Sequence, residues 1–265
     1  MIPRHTPPLQ LVCTDFDGTI HTDLESPAIA PEFQAVIAQL QSQGVRWVVN
    51  TGRSLADLLR ELARARLAVA PDYLVVVERE IHVREGDRYV AHTDWNERCA
   101  RTHDELFARL RPELPHWFEW VNGNFVAEVY EDPWSPFCLV AASPEDAVAI
   151  VEQVELRCRA WPEVTGVANH VYARLSHADY HKGSALQEVA RQCAAAPEGT
   201  FIAGDHWNDL PMLRRDLGRW LVAPENAMPE VKTAVTEAGG WVIPERAGRA
   251  VAAGLQRALS DLNGG

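Results

Sequence analysis

The apolar run Leu9–Thr14 ends directly on Asp15-Phe16-Asp17-Gly18-Thr19, and this junction restricts the fold more than any other stretch. A short apolar run leading straight into two carboxylates reads as a buried strand whose carboxyl end opens onto a polar site. Like charges one residue apart repel, and each resists removal from water. A fold keeps such a pair where a cation or a developing charge uses it. Open α/β sheets present their ligands beyond the carboxyl ends of their strands. The pair therefore points to metal-assisted chemistry, with one Asp as nucleophile and the other as proton shuttle. An Asp-Gly hairpin turn is the plainer reading of the same residues, but Ile20–Pro27 does not return as a strand. An EF-hand loop fails too, because its fifth and twelfth positions are Thr19 and Ser26.

The surrounding rhythm agrees with an α/β sheet. Pro31–Gln43 has Phe33, Val36, Ile37 and Leu40 on one helical face and stops at Gly44. Val45–Asn50 reads as a strand, Ser54–Leu67 as a helix and Tyr73–Val77 as a strand. Helical crossovers between strands imply a parallel sheet. After Glu78 the rhythm changes. Ile81–Arg84 and Arg88–His92 read as one hairpin, and Trp117–Val121 and Phe125–Tyr130, joined by Asn122-Gly123-Asn124, as another. Helices are expected around Asn96–Leu110 and Pro144–Arg159. From Lys182 the alternation returns, with a helix over Ser184–Ala195, strands at Thr200–Ala203 and Trp220–Ala223 and a short helix at Leu210–Arg215. The expected fold class is α/β: a Rossmann-like parallel sheet core, residues 1–79 and 180–265, interrupted by an inserted α+β cap domain at 80–179.

Three further elements sit where strands should end: Thr51-Gly52-Arg53, Lys182-Gly183-Ser184 and Gly204-Asp205-His206-Trp207-Asn208-Asp209. Singly, the first reads as a turn with a helix cap and the second as a surface charge. The last repeats the problem of the opening pair, two carboxylates at a strand end. The net charge of −12, from 25 basic and 37 acidic residues, leaves no basic stripe for nucleic acid. It leaves room for a small phosphorylated ligand held by a local cation. The five cysteines show no C-x-x-C spacing, so no disulfide framework or zinc site is suggested. Met1–Pro8 has no apolar signal core, and no run suits a membrane span, so a reducing cytoplasm is expected.

Taken in order, these four elements resemble the haloacid dehalogenase (HAD) superfamily of phosphotransferases. Its acidic pair, Thr or Ser, Lys, and second acidic pair match Asp15/Asp17, Thr51, Lys182 and Asp205/Asp209. An insertion between the second and third elements matches the members with a type-two (C2) cap. Gly204–Leu213 and Val222–Lys232 resemble the Cof-type sugar-phosphatase branch. That branch usually carries Asn-Gly after the third strand, where this chain has Glu78-Arg79-Glu80.

The resemblance implies a magnesium-dependent phosphatase acting on a small phosphorylated metabolite, a sugar or polyol phosphate. Asp15 would attack phosphorus and form an aspartyl-phosphate; Asp17 would protonate the leaving oxygen and then deprotonate water. Mg2+ would sit on Asp15, the backbone carbonyl of Asp17 and Asp205. Thr51, Gly52, Lys182 and Asn208 would bind the phosphoryl group, with Asp209 supporting the metal shell or orienting Lys182. Arg53 is assigned to packing at a helix start, and Asn226 to capping. In the cap, Trp117, Trp120 and Trp134 are read as core residues first and as a stacking face for a sugar second. A phosphomannomutase-like phosphomutase and a non-catalytic phosphometabolite-binding protein remain the alternatives, as a monomer or a homodimer.

Overall fold

The computed structural model describes residues 9–263; Met1–Pro8, the stretch read above for a signal core, lies outside the described residues. The chain divides into two compact units, one of residues up to His92 and from Lys182 onward, the other Thr93–His181.

The first unit begins with β1 (Leu11–Thr14), α1 (Pro31–Ser42), β2 (Arg46–Asn50), α2 (Leu55–Ala65) and β3 (Tyr73–Val76). Every residue of β1 is buried, as expected of a parallel strand covered on both faces. Pro31 starts α1, where a missing N–H is harmless, and Phe33, Val36, Ile37 and Leu40 form its buried stripe. Ser54 caps α2 by accepting from the Asp57 N–H at 3.2 Å. The hairpin β4 (Glu80–Glu85) and β5 (Arg88–Ala91) follows.

That hairpin departs from the expected insertion. Its strand β4 pairs antiparallel with β3, from Tyr73↔Val83 to Val76↔Glu80, so it extends the core sheet. The second unit therefore starts at Thr93, not at residue 80. The turn between β3 and β4 is too short for a crossover, and backbone pairing with the adjacent edge is its immediate outlet.

The second unit contains α3 (Thr93–Leu110), α4 (Leu114–Asn124), β6 (Ala127–Asp132), β7 (Ser135–Ala141), α5 (Pro144–Arg157), β8 (Val164–Asn169) and β9 (Tyr172–His177). Its strands form an antiparallel sheet ordered β6-β7-β9-β8. Here the expected second hairpin is overturned, because Trp117–Val121 lies within helix α4. Leu114, Trp117 and Val121 recur three and four residues apart and are all buried, so helical spacing outweighs the Asn-Gly turn signal. Trp117 joins the core built on Phe137, Leu139, Ile150 and Leu175, and Trp120 packs against it. The Arg157 guanidinium lies over the Trp120 ring at 4.1 Å.

The first unit resumes with α6 (Lys182–Cys193), β10 (Thr200–Ala203), β11 (Trp220–Pro224), α7 (Pro229–Glu237), β12 (Trp241–Ile243) and α8 (Ala247–Asn263). The complete sheet runs β12-β11-β10-β1-β2-β3-β4-β5, with every pairing parallel except the last two, β3-β4 and β4-β5. The short helix expected at Leu210–Arg215 is replaced by turns after a 3₁₀ turn at Trp207–Asp209. The central trio β10-β1-β2 ends in Asp205, Asp15 and Thr51. Among the described residues no helix is long and apolar enough to cross a membrane.

Gly166 tests the packing of the second unit. A Cβ there would lie 2.1 Å from Val151 Cγ1. Gly166→Ala should destabilise by about 1–3 kcal/mol, seen as a lower Tm in calorimetry.

Candidate active site

The site is assembled in the first unit at the carboxyl ends of its central strands. Asp15 leaves β1 with its N–H bonded to the Ala203 carbonyl at 2.9 Å, which fixes the strand end against β10. Lys182, on the first turn of α6 and 1% exposed, donates from Nζ to Asp15 Oδ1 at 2.7 Å and Asp209 Oδ1 at 2.6 Å. Its backbone carbonyl accepts from Asn50 Nδ2 at 2.9 Å, so β2 also holds the lysine in place. Burial works to strip the Lys182 proton, but the charges of Asp15, Asp209 and Glu78 overcome it and hold the ammonium charged. Burial first, and Asp209 second, push the Asp15 carboxyl well above the usual carboxylate range despite Lys182.

Asp209 is fully buried, and its Oδ2 accepts the N–H groups of Asp205 and His206 at 2.8 and 2.9 Å. The same side chain thus shapes the loop after β10 and orients Lys182. Asp205 receives the Thr19 hydroxyl on Oδ1 at 2.6 Å. Gly18, at φ +75°, lets that loop approach closely: a Cβ would lie 2.2 Å from Asp205 Oδ2. Burial, then the neighbouring Asp209 charge, raise the Asp205 carboxyl to about 7.

Asp17 is placed differently. Arg53 donates to it twice, Nε to Oδ2 at 2.6 Å and a terminal nitrogen to Oδ1 at 2.7 Å, and His21 Nδ1 lies 3.5 Å from Oδ1. Burial pushes this carboxyl up, but hydrogen bonds from His21 and Arg53 and the Arg53 charge outweigh it and hold it at about 2. Arg53 is therefore bonded to the acidic pair, beyond the helix-start packing assigned from sequence. Its position two residues after Thr51 is the one signal that pointed there.

Thr51 is buried, and its Oγ1 accepts the Arg53 N–H at 3.2 Å across Gly52. Asn208, expected on the phosphoryl group or on Asp15, donates from Nδ2 to Glu78 Oε1 at 2.8 Å. Asn226 ties the site to the last helix, donating to the Gly18 carbonyl at 2.8 Å and accepting the Ala247 N–H at 2.9 Å.

Asp15, Asp205 and Asp209 each offer an oxygen within 4.8 Å of the others, the group of three carboxylates that could hold a metal ion among the described residues. Both Asp209 oxygens already accept protein donors. The oxygen-only donor set, and a carboxyl raised to about 7 within it, fit a hard divalent cation.

A family model described as haloacid dehalogenase-like hydrolase matches residues 121–252, and one described as sucrose-6F-phosphate phosphohydrolase matches residues 8–110. The chain belongs to the haloacid dehalogenase-like hydrolases. It is a phosphatase enzyme of that superfamily. The putative phosphatase YxeH of Bacillus subtilis is 23% identical, over 84% of this chain and 89% of that protein. The fold is shared with the sucrose-phosphatase of Synechocystis sp., solved with sucrose and phosphate, at a TM-score of 0.72 and 18% identity over 97% of this chain and 99% of that one. A haloacid dehalogenase-like hydrolase from B. subtilis matches at 0.63 and 19%, over 93% of this chain and 99% of that one.

The raised Asp205 carboxyl sets a pH dependence for this hydrolase. A folded value of about 7 against an ordinary 3.8 means that the folded state holds the proton more tightly. That stabilising contribution is complete below about pH 3.8 and is lost as the pH rises through about 7. In EDTA, urea denaturation should show Asp205→Asn resisting the loss of unfolding free energy seen in the parent between about pH 4 and 7.

Proposed function

We propose that the enzyme is a magnesium-dependent phosphatase that hydrolyses a small phosphorylated metabolite, a sugar or polyol phosphate, through an aspartyl-phosphate on Asp15. The observation that carries this reading is Lys182, buried and bonded at once to Asp15 and Asp209. A cation at that position aligns the nucleophile and stands ready for charge on a transferring phosphoryl group. A binding protein has no use for both Asp15 and Asp17, and this counts against a non-catalytic role.

Asp15, the backbone carbonyl of Asp17 and Asp205 would hold Mg2+, which when bound neutralises the charge between carboxylates and phosphate. At ~4 Å and an effective dielectric near 20, each such repulsion is about 4 kcal/mol. Asp15 then attacks phosphorus in line. Lys182 and Thr51 receive the phosphoryl oxygens, with Gly52 letting the backbone approach. Asp209 positions Lys182. Held at about 2 by His21 and Arg53, Asp17 is a weak base and carries no proton; to protonate the leaving oxygen and then take a proton from water, it must part from Arg53. The sugar preference is supported by the sucrose-phosphate family match and the solved sucrose-phosphatase. Five free thiols, four of them buried, accord with a cytoplasmic setting.

Asp15→Asn should lower kcat by at least roughly 10⁴-fold while circular dichroism shows an unchanged fold. A phosphate-release assay with Mg2+ and with EDTA, over sugar phosphates, phosphoglycerates and p-nitrophenyl phosphate, tests the reading. Normal turnover by Asp15→Asn would end it.

A further inference from the structure

The turn between β3 and β4 is strained in a way that its sequence does not require. Val77 and Glu78 have φ of 45° and 68°, and the Arg79 N–H closes the turn on the Val76 carbonyl at 3.0 Å. Two consecutive left-handed residues between antiparallel strands make a mirror-image hairpin turn, for which Asn-Gly is the favoured pair. A β-branched residue there is a true outlier. The conformation is held from outside: Val77 N–H donates to the Arg53 carbonyl and Glu78 N–H to the Thr51 carbonyl, both at 2.9 Å. Strain held in place by a functional loop is a pointer to function.

The turn delivers the Glu78 carboxyl, 5% exposed, to Asn208. An amide's oxygen and nitrogen are hard to tell apart from shape alone, but a carboxylate partner settles them. Glu78 Oε1 must accept, so Asn208 presents Nδ2 to it and turns Oδ1 the other way. That Oδ1 is buried and has no hydrogen-bond partner. A buried acceptor that no protein donor satisfies calls for a donor from a ligand.

We propose that Glu78 is a positioning residue for specificity: it locks the Asn208 amide so that Oδ1 accepts a hydroxyl of the leaving alcohol, favouring phosphate esters of polyols and sugars. This rests on the phosphatase reading and names the substrate feature that the site reads. Glutamine at 78 keeps the size but can donate or accept, so the Asn208 amide is free to turn over. A site built around one hydrogen bond discriminates strongly against partners that lack it.

The test compares kcat/KM for glucose 6-phosphate and glycerol 3-phosphate with that for p-nitrophenyl phosphate, which has no hydroxyl. Glu78→Gln should reduce the polyol-to-nitrophenyl ratio at least tenfold, mainly through KM. Asn208→Ala should reduce it equally, and the double variant should reduce it no further, since Glu78 acts through Asn208. Equal losses on all three esters would place Asn208 on phosphate or water and overturn the proposal. An unchanged ratio, or independent and additive effects, would also overturn it. Wild-type protein that turns over p-nitrophenyl phosphate but neither polyol ester defeats this inference alone; inactivity on all three with Mg2+ defeats the phosphatase reading.

Discussion

The buried ammonium of Lys182 is the contact on which the rest of the core unit depends. It lies between Asp15 and Asp209, two carboxylates from loops 194 residues apart in sequence, and binds both within 2.7 Å. Desolvating three charges costs several kcal/mol per ion, and only close, fully hydrogen-bonded geometry offsets it. Lysine suits the position, because a compact charge with three donors can serve two carboxylates at once. The geometry is enforced from every side: Asn50 anchors the lysine backbone, and Asp209 spends its second oxygen on the loop amides of Asp205 and His206. Strand ends, loop shape and the placement of the Asp15 carboxyl are thus one set of bonds.

Much of this was legible in the chain because the chemistry lies close to strand ends. Asp15, Thr51, Lys182 and Asp205 each follow an apolar run or open a helix, and those patterns depend on local sequence alone. Contacts between loops leave no such trace. The nearness of Arg53 to Thr51 hints at the site but does not say that it bonds Asp17, and Thr19 looks like part of a turn until Asp205 is brought to it. The hairpin at Glu80–Ala91 was visible as a hairpin, but the edge it would join was not, since pairing depends on which edge remains open. In α4, Asn122-Gly123 carries a strong local turn signal. The buried stripe of Leu114, Trp117 and Val121 overrides it, and only the tertiary core supplies that stripe's partner.

The two carboxylates that follow β1 end in opposite environments. Asp15, like Asp205, is pushed up by burial, whereas Asp17 is held near 2 by His21 and Arg53. Carboxyls whose environments separate them in this way are suited to different parts of one reaction. The raised pair is where a cation gains most, because a charge supplied there relieves repulsion that protein groups leave uncompensated. The low one is tied up by a guanidinium, which must be displaced before Asp17 can carry a proton. Arg53 is therefore as much a part of the acidic motif as Asp17, although thirty-five residues separate them in the chain.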